Sequence, residues 1–199
     1  DILLEPYGAQ ILGLSVSGTT LLTAMFAGGM VLALLMTSRS LGRGTDPILI
    51  ASVGVLVGVA AFFAVSFSAL IDSTQLFQMG AVLIGFGHGL FAVGMLTAAM
   101  VFGGKEMAGL TLGAWGAVQA TATGVAVFSG GAIRDLVSNW GEMGLLGIAM
   151  QSPAAGYLSV YVCEIALLFL ALASLGPLAR RVTASAESRD GLKLMDFPN

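Results

Sequence analysis

Apolar residues fall in five long runs along the chain, and charged residues, prolines or polar clusters separate each run from the next. A helix of about 20 apolar residues crosses the roughly 30 Å hydrocarbon core of a bilayer. The pattern therefore predicts an all-α membrane protein with five transmembrane helices. The predicted spans are residues 18–38, 47–69, 76–102, 108–130 with room to extend towards Asp135, and 156–178.

The boundaries of these runs carry local signals. Asp46 and Pro47 open the second run as an N-cap followed by proline at the first helical position. The connection from Gly131 to Ala155 is the only long connection between the predicted spans. Its apolar GLLGIAM stretch and Trp140 predict that it lies at the membrane interface. Residues 182–199 are polar with mixed charge, which predicts a soluble tail.

Basic residues indicate the orientation. With five spans, seven of the eight lysines and arginines fall on one side of the membrane and only Arg134 on the other. By the positive-inside rule, the C-terminus is cytoplasmic and Asp1 starts on the opposite side. The chain has an odd number of predicted spans, starts outside and lacks an initial Met. We therefore expect it to be part of a longer polytopic protein. The seven residues on the cytoplasmic side are Arg39, Arg43, Lys105, Arg180, Arg181, Arg189 and Lys193.

The composition argues against a soluble domain, a metal-cluster protein and a nucleic-acid-binding protein. The chain is 57% hydrophobic and 10% charged, whereas a soluble domain carries about 25% charged residues. With one cysteine, Cys163, and one histidine, His88, the sequence predicts no zinc, iron–sulfur or other metal cluster. The net charge of −3 is spread along the chain, which argues against nucleic-acid binding.

Motifs typical of enzymes are missing from the sequence. It contains no Gly-rich phosphate loop with a lysine, no nucleophile with a partner histidine in a motif, and no aspartate-rich pair for a magnesium diphosphate. We therefore expect that this segment is not an enzyme.

Pairs of small residues four apart occur in four of the spans. Helices in lipid associate by close backbone approach at such positions, because lipid tails are as apolar as leucine. The pattern predicts tight packing in a polytopic bundle, with the alternative that a glycine-lined face admits a flat ligand. The pairs are Ala24/Gly28, Gly54/Gly58, Gly85/Gly89, Gly94/Ala98, Gly113/Ala117 and Ala120/Gly124.

His88 lies near the middle of the third span, in GFGHGLFAVG. Ionisable residues inside a membrane are costly and point to function. Gly85 and Ala92 share its helix face and Gly87 and Gly89 flank it, which predicts a shallow bay beside a neutral imidazole. A flat macrocycle fits such a bay, so His88 is a candidate ligand for the magnesium of a bacteriochlorophyll. The alternatives are a hydrogen bond to a neighbouring helix and a role in proton relay.

Glu164 lies in the fifth span, and no span contains a basic residue to pair with it. A lone carboxyl group there is either protonated or faces a water-filled cavity or a partner helix. Glu164 is thus a candidate for transport coupling. Gln119, with Thr121 and Thr123 beside it in the fourth span, is a weaker candidate, and interhelical hydrogen bonding is its expected role.

Three segments resemble the C-terminal half of the PucC/LhaA family of light-harvesting complex assembly proteins, a branch of the major facilitator superfamily. They are DILLEPYGAQILGLSVSGTTLLTAMFAGG, with DILLEPYG the most specific part, the loop SRSLGRG and the segment GLFAVGMLTAAM. The resemblance covers residues 1–181. It implies that residues 1–8 end the seventh helix of a twelve-helix bundle and that the five spans are helices eight to twelve.

The resemblance also places Arg39 and Arg43 in the superfamily's basic cytoplasmic loop between the second and third helices of each half. This chain lacks the acidic residue that usually precedes the first arginine of that loop.

The function implied by the resemblance is assembly of bacterial antenna complexes, with handling or delivery of bacteriochlorophyll in the photosynthetic inner membrane. The implied partners are antenna polypeptides, the reaction-centre complex, the N-terminal half of the same protein and membrane lipid, with carotenoid or lipid as further ligands. One alternative is a secondary transporter of the major facilitator type that uses Glu164 and His88 as protonatable groups. Another is a structural subunit that docks against an antenna ring.

Overall fold

The computed structural model describes the backbone of residues 3–103 and 107–195 and contains only helices, turns and connections in these ranges. This confirms the predicted all-α class. A short 3-10 helix, Ile148–Met150, lies between the last two α-helices. The α-helices are α1 (Leu4–Gln10), α2 (Val16–Gly42), α3 (Pro47–Leu70), α4 (Thr74–Gly103), α5 (Ala108–Glu142) and α6 (Ala155–Met195).

Five of these helices, α2 to α6, are long and apolar enough to cross a membrane, α6 over Ala155–Pro177. They match the five predicted spans and identify a multi-pass membrane protein. Helix α3 begins as predicted, since the Asp46 carboxylate accepts a hydrogen bond of 2.8 Å from the backbone N–H of Ile48. The Ser15 hydroxyl caps α2 in the same way by accepting from the N–H of Gly18.

One predicted boundary was wrong. Helix α5 does not end near residue 130 or Asp135 but continues to Glu142, so the connection to α6 is residues 143–154 rather than 131–155. Trp140 consequently lies in the last turn of a helix. Helix α6 spans the predicted apolar run and continues through Pro177 to Met195, so the predicted soluble tail is helical as far as Met195. The cytoplasmic location of that tail stays a prediction.

Helix α4 is the centre of the packing, with α2 and α3 both against it. Glycines make these contacts close. A Cβ added at Gly87 would lie 2.7 Å from the carbonyl oxygen of Gly54, and one at Gly94 would lie 2.6 Å from that of Pro47. On the side of α2, a Cβ at Gly89 would lie 2.7 Å from the Ala33 Cβ. The predicted small-residue pairs Gly54/Gly58, Gly85/Gly89 and Gly94/Ala98 therefore lie at helix–helix contacts.

The other predicted pairs do not mediate packing within the described residues. A Cβ at Gly28, Gly113 or Gly124 would meet no atom within 4 Å. In α2 the neighbouring Gly29 makes the contact instead, against the α4 backbone at Val82. Helix α5 has no buried residue in its apolar window, so its small residues are not packed tightly against the rest of the described chain.

An aromatic cluster joins α1, α4 and α6 on the side of the bundle where α1 lies. Tyr7, from the DILLEPYG segment, is fully buried, and its ring centroid lies 5.3 to 5.4 Å from those of Phe77, Tyr157 and Tyr161. The Tyr157 hydroxyl donates a 2.7 Å hydrogen bond to Gln10. This cluster fixes the rotation of α6 about its axis, and therefore which α6 side chains face α3 and α4.

Candidate functional site

A cavity of about 310 Å³ lies between α3, α4 and α6 and is open on one side. His88 from α4 and Glu164 from α6 both line it, and the other lining residues are apolar or glycine. The fold thus brings together the two intramembrane titratable residues that the sequence singled out separately. The remaining lining residues are Gly54, Val55, Gly58, Phe62, Ile84, Gly87, Phe91, Leu167, Leu168 and Ala171.

Glu164 points into the cavity because of its position on α6. Tyr161, three residues earlier, shares its helix face and is anchored against Tyr7 and against Phe62, whose ring lies 5.9 Å away. Leu168, one turn further on, packs against buried side chains of α3. With the turns on both sides of it held against α3 and α4, Glu164 has little freedom to face lipid.

Glycine on α3 makes room for the cavity. Gly54 and Gly58 bring the α3 backbone against α4 at Gly87 and leave no side chain between α3 and α6 at that depth. A Cβ at Gly58 would be in ordinary contact, 3.4 Å, with Leu168 of α6. The same glycines therefore close the α3–α4 contact and keep the space beside His88 open.

His88 is half-buried, and the Phe26 ring of α2 lies 6.1 Å from its own at an angle of 49°. No hydrogen bond to its imidazole is found among the residues up to 177 whose side chains the structure describes. The predicted alternative of a hydrogen bond to a neighbouring helix is thus not realised in the described part of the chain. A ring nitrogen remains available to a ligand in the cavity.

His88 and Glu164 do not contact each other. The ion pair found within the described residues is Arg134 with its neighbour Asp135, at 3.3 Å, and it lies elsewhere. The Glu164 Oε2 atom is buried and has no hydrogen-bond partner in the described residues. The two polar residues thus line one apolar space without forming an ion pair with each other.

The predicted bay beside His88 was wrong in its location. A Cβ at Gly85 would overlap the Phe26 carbonyl oxygen, and Gly89 is covered by Met30 and Ala33, so α2 fills this face. Gly87 is likewise covered by α3. Because these glycines serve helix packing, a ligand of His88 must enter from the cavity between α3, α4 and α6. Ala92 does not line that cavity.

The remaining candidate residues lie away from the cavity. Gln119 is half-buried on α5, and the neighbouring Thr121 hydroxyl donates to the Ala117 carbonyl of its own helix rather than to another helix. Arg39, in the last turn of α2, and Arg43, at its C-cap, are exposed at the α2–α3 connection. Neither forms an ion pair within the described residues.

Sequence reasoning missed that His88 and Glu164 share one cavity. The sequence does show that one face of α6 carries Glu164 together with Tyr157, Tyr161 and Leu168, because these residues follow one another at spacings of three and four. The sequence does not say which helix that face meets, because no charge pair or motif connects α6 to α4.

Comparison with known proteins identifies the family. The profile of the PUCC protein family matches residues 1–183. The chain belongs to the PucC family. A PucC protein of Cereibacter sphaeroides is 42% identical over 93% of the chain and 39% of that relative. An uncharacterized protein of Rhodobacter capsulatus, from the puhA-bchM intergenic region, is 48% identical over all of the chain and 42% of the relative.

A more distant relative is the bacteriochlorophyll synthase 44.5 kDa chain of Rhodobacter capsulatus, 29% identical over 69% of the chain and 33% of that relative. No solved structure matches the chain significantly. The chain spans about two fifths of the length of the first two relatives. It therefore corresponds to a part of those PucC-family proteins.

Proposed function

We propose that this protein acts in the assembly of bacterial light-harvesting complexes and handles bacteriochlorophyll for the antenna polypeptides in the photosynthetic inner membrane. The family resemblance supports assembly. The proposal of pigment binding rests on one observation in the structure. The His88 side chain lines an apolar cavity, and its imidazole has no hydrogen bond within the described residues. We further propose that the segment is not itself an enzyme and that carotenoid or lipid can share the site.

The residues around the cavity fit a pigment in part. About 310 Å³ is at the small end of ligand pockets, so the cavity would hold only part of a bacteriochlorophyll. Bound there, the pigment would supply a magnesium ion that accepts a nitrogen ligand. His88 would ligate the metal, Phe91 and Leu168 would contact the ring, and the apolar walls would exclude water from the ligating nitrogen.

The test is ligand replacement in the full-length protein. His88→Gly removes the imidazole, and we expect loss of the bacteriochlorophyll absorption that co-purifies with the wild type, with recovery when free imidazole is added. Thr97→Val, a loss of a polar group on α4 outside the cavity, is the matched control and should keep the pigment. Unchanged pigment content in His88→Gly would remove His88 from the site.

The structure also favours a second candidate function, secondary transport, because two titratable groups face one cavity in the span region. This function predicts substrate flux in proteoliposomes of the full-length protein and its loss in Glu164→Gln. Ser174→Ala, an exposed position on the same helix, should transport normally. Intact flux in Glu164→Gln would contradict a coupling role for Glu164.

We propose that the N-terminal half of the full-length protein covers α5. This helix is apolar, yet none of its spanning window is buried against the described chain. The relatives are more than twice as long as this chain, so the remaining part of the protein is long enough to supply neighbours. The arrangement is that of helices eight to twelve in a twelve-helix bundle, with antenna polypeptides and the reaction centre as external partners.

A further inference from the structure

The DILLEPYG segment contains a carboxyl group that belongs neither to the cavity nor to the aromatic cluster. Leu4, Tyr7 and Gly8 of this segment are buried in the bundle, whereas Glu5 is on an exposed side of α1. The buried residues fix the rotation of α1 about its axis. The outward direction of Glu5 therefore follows from the packing of its neighbours.

Glu5 lies at the depth of the membrane-spanning helices. Its Oε1 atom accepts a hydrogen bond from the Thr23 hydroxyl of α2, the helix against which α1 packs. Thr23 is about two helical turns from the start of α2 at Val16 and five residues inside the predicted span 18–38. A charged side chain at such a depth is costly and, as a rule, faces protein, a water-filled cavity or an opposite charge rather than lipid.

The described side chains give Glu5 one hydrogen-bond donor and no cation within ion-pair distance. Arg39 and Arg43 lie at the far end of α2, and Arg134 pairs with its neighbour on α5. A carboxylate accepts more than one hydrogen bond. Glu5 thus keeps unused acceptor capacity on an exposed surface inside a span.

The full-length protein has enough further chain to cover this surface, since the relatives are more than twice as long as this chain. We propose that Glu5, oriented by Thr23, forms an ion pair with a lysine or arginine side chain from the N-terminal half. A cation is the charge complement of this carboxylate, and ionisable residues within membranes commonly pair with one another. The inference rests on the proposed covering of this segment by the N-terminal half and names a polar contact between the two halves.

The sign of one substitution distinguishes the possible neighbours of Glu5. If a cation faces it, Glu5→Gln leaves that cation unpaired in the membrane and weakens the contact between the halves. If lipid faces it, Glu5→Gln removes a charge from apolar surroundings and stabilises the protein. If water faces it, the group is hydrated in both forms and little changes. A loss is the result that agrees with an ion pair.

The experiment uses the full-length protein with a protease site in the connection between its two halves. After cleavage of the folded protein in mild detergent, the fraction of N-terminal half that stays bound to the tagged C-terminal half is measured on dilution. We expect the wild-type halves to remain associated and Glu5→Gln to weaken the association about tenfold or more. Thr23→Val removes the donor that orients Glu5 and should act in the same direction with a smaller effect.

Two matched controls come from the same chain. Asp72→Asn neutralises an exposed carboxyl group in the α3–α4 connection, where a φ of 49° suits asparagine. Thr20→Val removes an exposed hydroxyl of α2 that donates to the Val16 carbonyl of its own helix. Both variants should associate as the wild type does.

A charge exchange identifies the partner. In a Glu5→Arg background, each lysine and arginine in the spans of the N-terminal half is changed in turn to glutamate, and one of these second substitutions should restore the association. Because this readout is a recovery, it tests the ion pair even if Glu5→Gln alone fails to accumulate. Recovery from none of the exchanges would contradict the ion pair.

The outcomes separate the ion pair from the proposal on which it rests. Wild-type halves that separate at once on cleavage would overturn the covering by the N-terminal half, and the ion pair with it. Halves that remain associated in the wild type and equally or more strongly in Glu5→Gln would overturn the ion pair alone, in favour of water or lipid beside Glu5.

Discussion

Glycines in this chain differ in what their α-carbons face. Gly54 of α3 and Gly85 and Gly94 of α4 lie against the backbone of a neighbouring helix, so that even one methyl group would overlap a carbonyl oxygen. Others, such as Gly58, leave room for a Cβ at ordinary contact distance. Sequence spacing does not separate the two groups, because both occur in small-residue pairs.

Gly94→Ala should destabilise the full-length protein by about 1–3 kcal/mol, the usual cost of overpacking. The added Cβ would lie 2.6 Å from the Pro47 carbonyl oxygen and 2.8 Å from the Ala51 nitrogen, both of which are backbone atoms that cannot rotate away. Gly58→Ala is the control and should be neutral or stabilising by up to about 1 kcal/mol, since alanine restricts the unfolded chain. Thermal unfolding in detergent measures both, and equal melting temperatures would show that the α3–α4 contact is looser than described.

The Tyr161 side chain contributes through its ring. The residue is 1% exposed, its ring contacts those of Tyr7 and Phe62, and its hydroxyl has no partner in the described residues. A buried hydroxyl without a partner costs free energy.

Tyr161→Phe should therefore leave stability unchanged or raise it by about 1 kcal/mol, whereas Tyr161→Ala should lower it by about 3–5 kcal/mol through the cavity that it leaves. Denaturation of the two variants in the same detergent gives the comparison. A large loss in Tyr161→Phe would mean that the hydroxyl has a partner outside the described residues.

Helix α5 packs against α6 near its C-terminal end and contacts α4 near its start, and the middle of the helix is exposed. Near the C-terminal end a Cβ on Gly156 of α6 would lie 2.6 Å from the Arg134 carbonyl oxygen of α5. The Arg134 guanidinium lies over the Tyr157 ring, 4.9 Å from its centroid. These contacts explain why α5 continues past residue 130: the extra turns carry the residues that hold it to α6.

Gly156→Ala should push α5 away from α6 and destabilise the protein by about 1–3 kcal/mol. Spin labels at Leu136 and Val162, both exposed, would report a longer separation in electron–electron double resonance, in a Cys163→Ser background.

Gly130→Ala provides the matched control at the same helix pair, because its Cβ would lie 3.6 Å from Val160. It should leave the label distance unchanged. A distance that is also unchanged in Gly156→Ala would show that the contact between Gly156 and the Arg134 backbone is looser than described.

At the scale of the whole molecule, the α2–α3 connection, the end of α4 and the start of α5 lie at one end of the five spans, and the 143–154 connection lies at the other. The basic residues Arg39 and Arg43 are at the first end and Arg134 is near the other. From the positive-inside rule we predict that the first end is cytoplasmic.

Cysteine accessibility tests this orientation in intact cells and in inverted vesicles. In a Cys163→Ser background, Gly44→Cys should react with a membrane-impermeant maleimide only in inverted vesicles, and Ile148→Cys, at an 88% exposed position, only in intact cells. The reverse pattern would contradict the orientation and, with it, the cytoplasmic C-terminus.

The sequence by itself determined the class of the protein, the number of spans and most of their boundaries. Hydrophobic length is a local property, and a run of some 20 apolar residues has one stable conformation in lipid whatever its neighbours are. For the same reason the Asp46 cap and the small-residue seams of α3 and α4 were predictable. The DILLEPYG segment likewise indicated the family before the fold was known.

Only the tertiary structure decided what those residues face. Gly85 and Gly89, expected beside a ligand, pack against α2, whereas His88 and Glu164, 76 residues apart in sequence, line one cavity. The extension of α5 to Glu142 depends in the same way on contacts with α6. Helix rotation and pairing in a membrane follow from close packing summed over several helices, and no single segment contains that information.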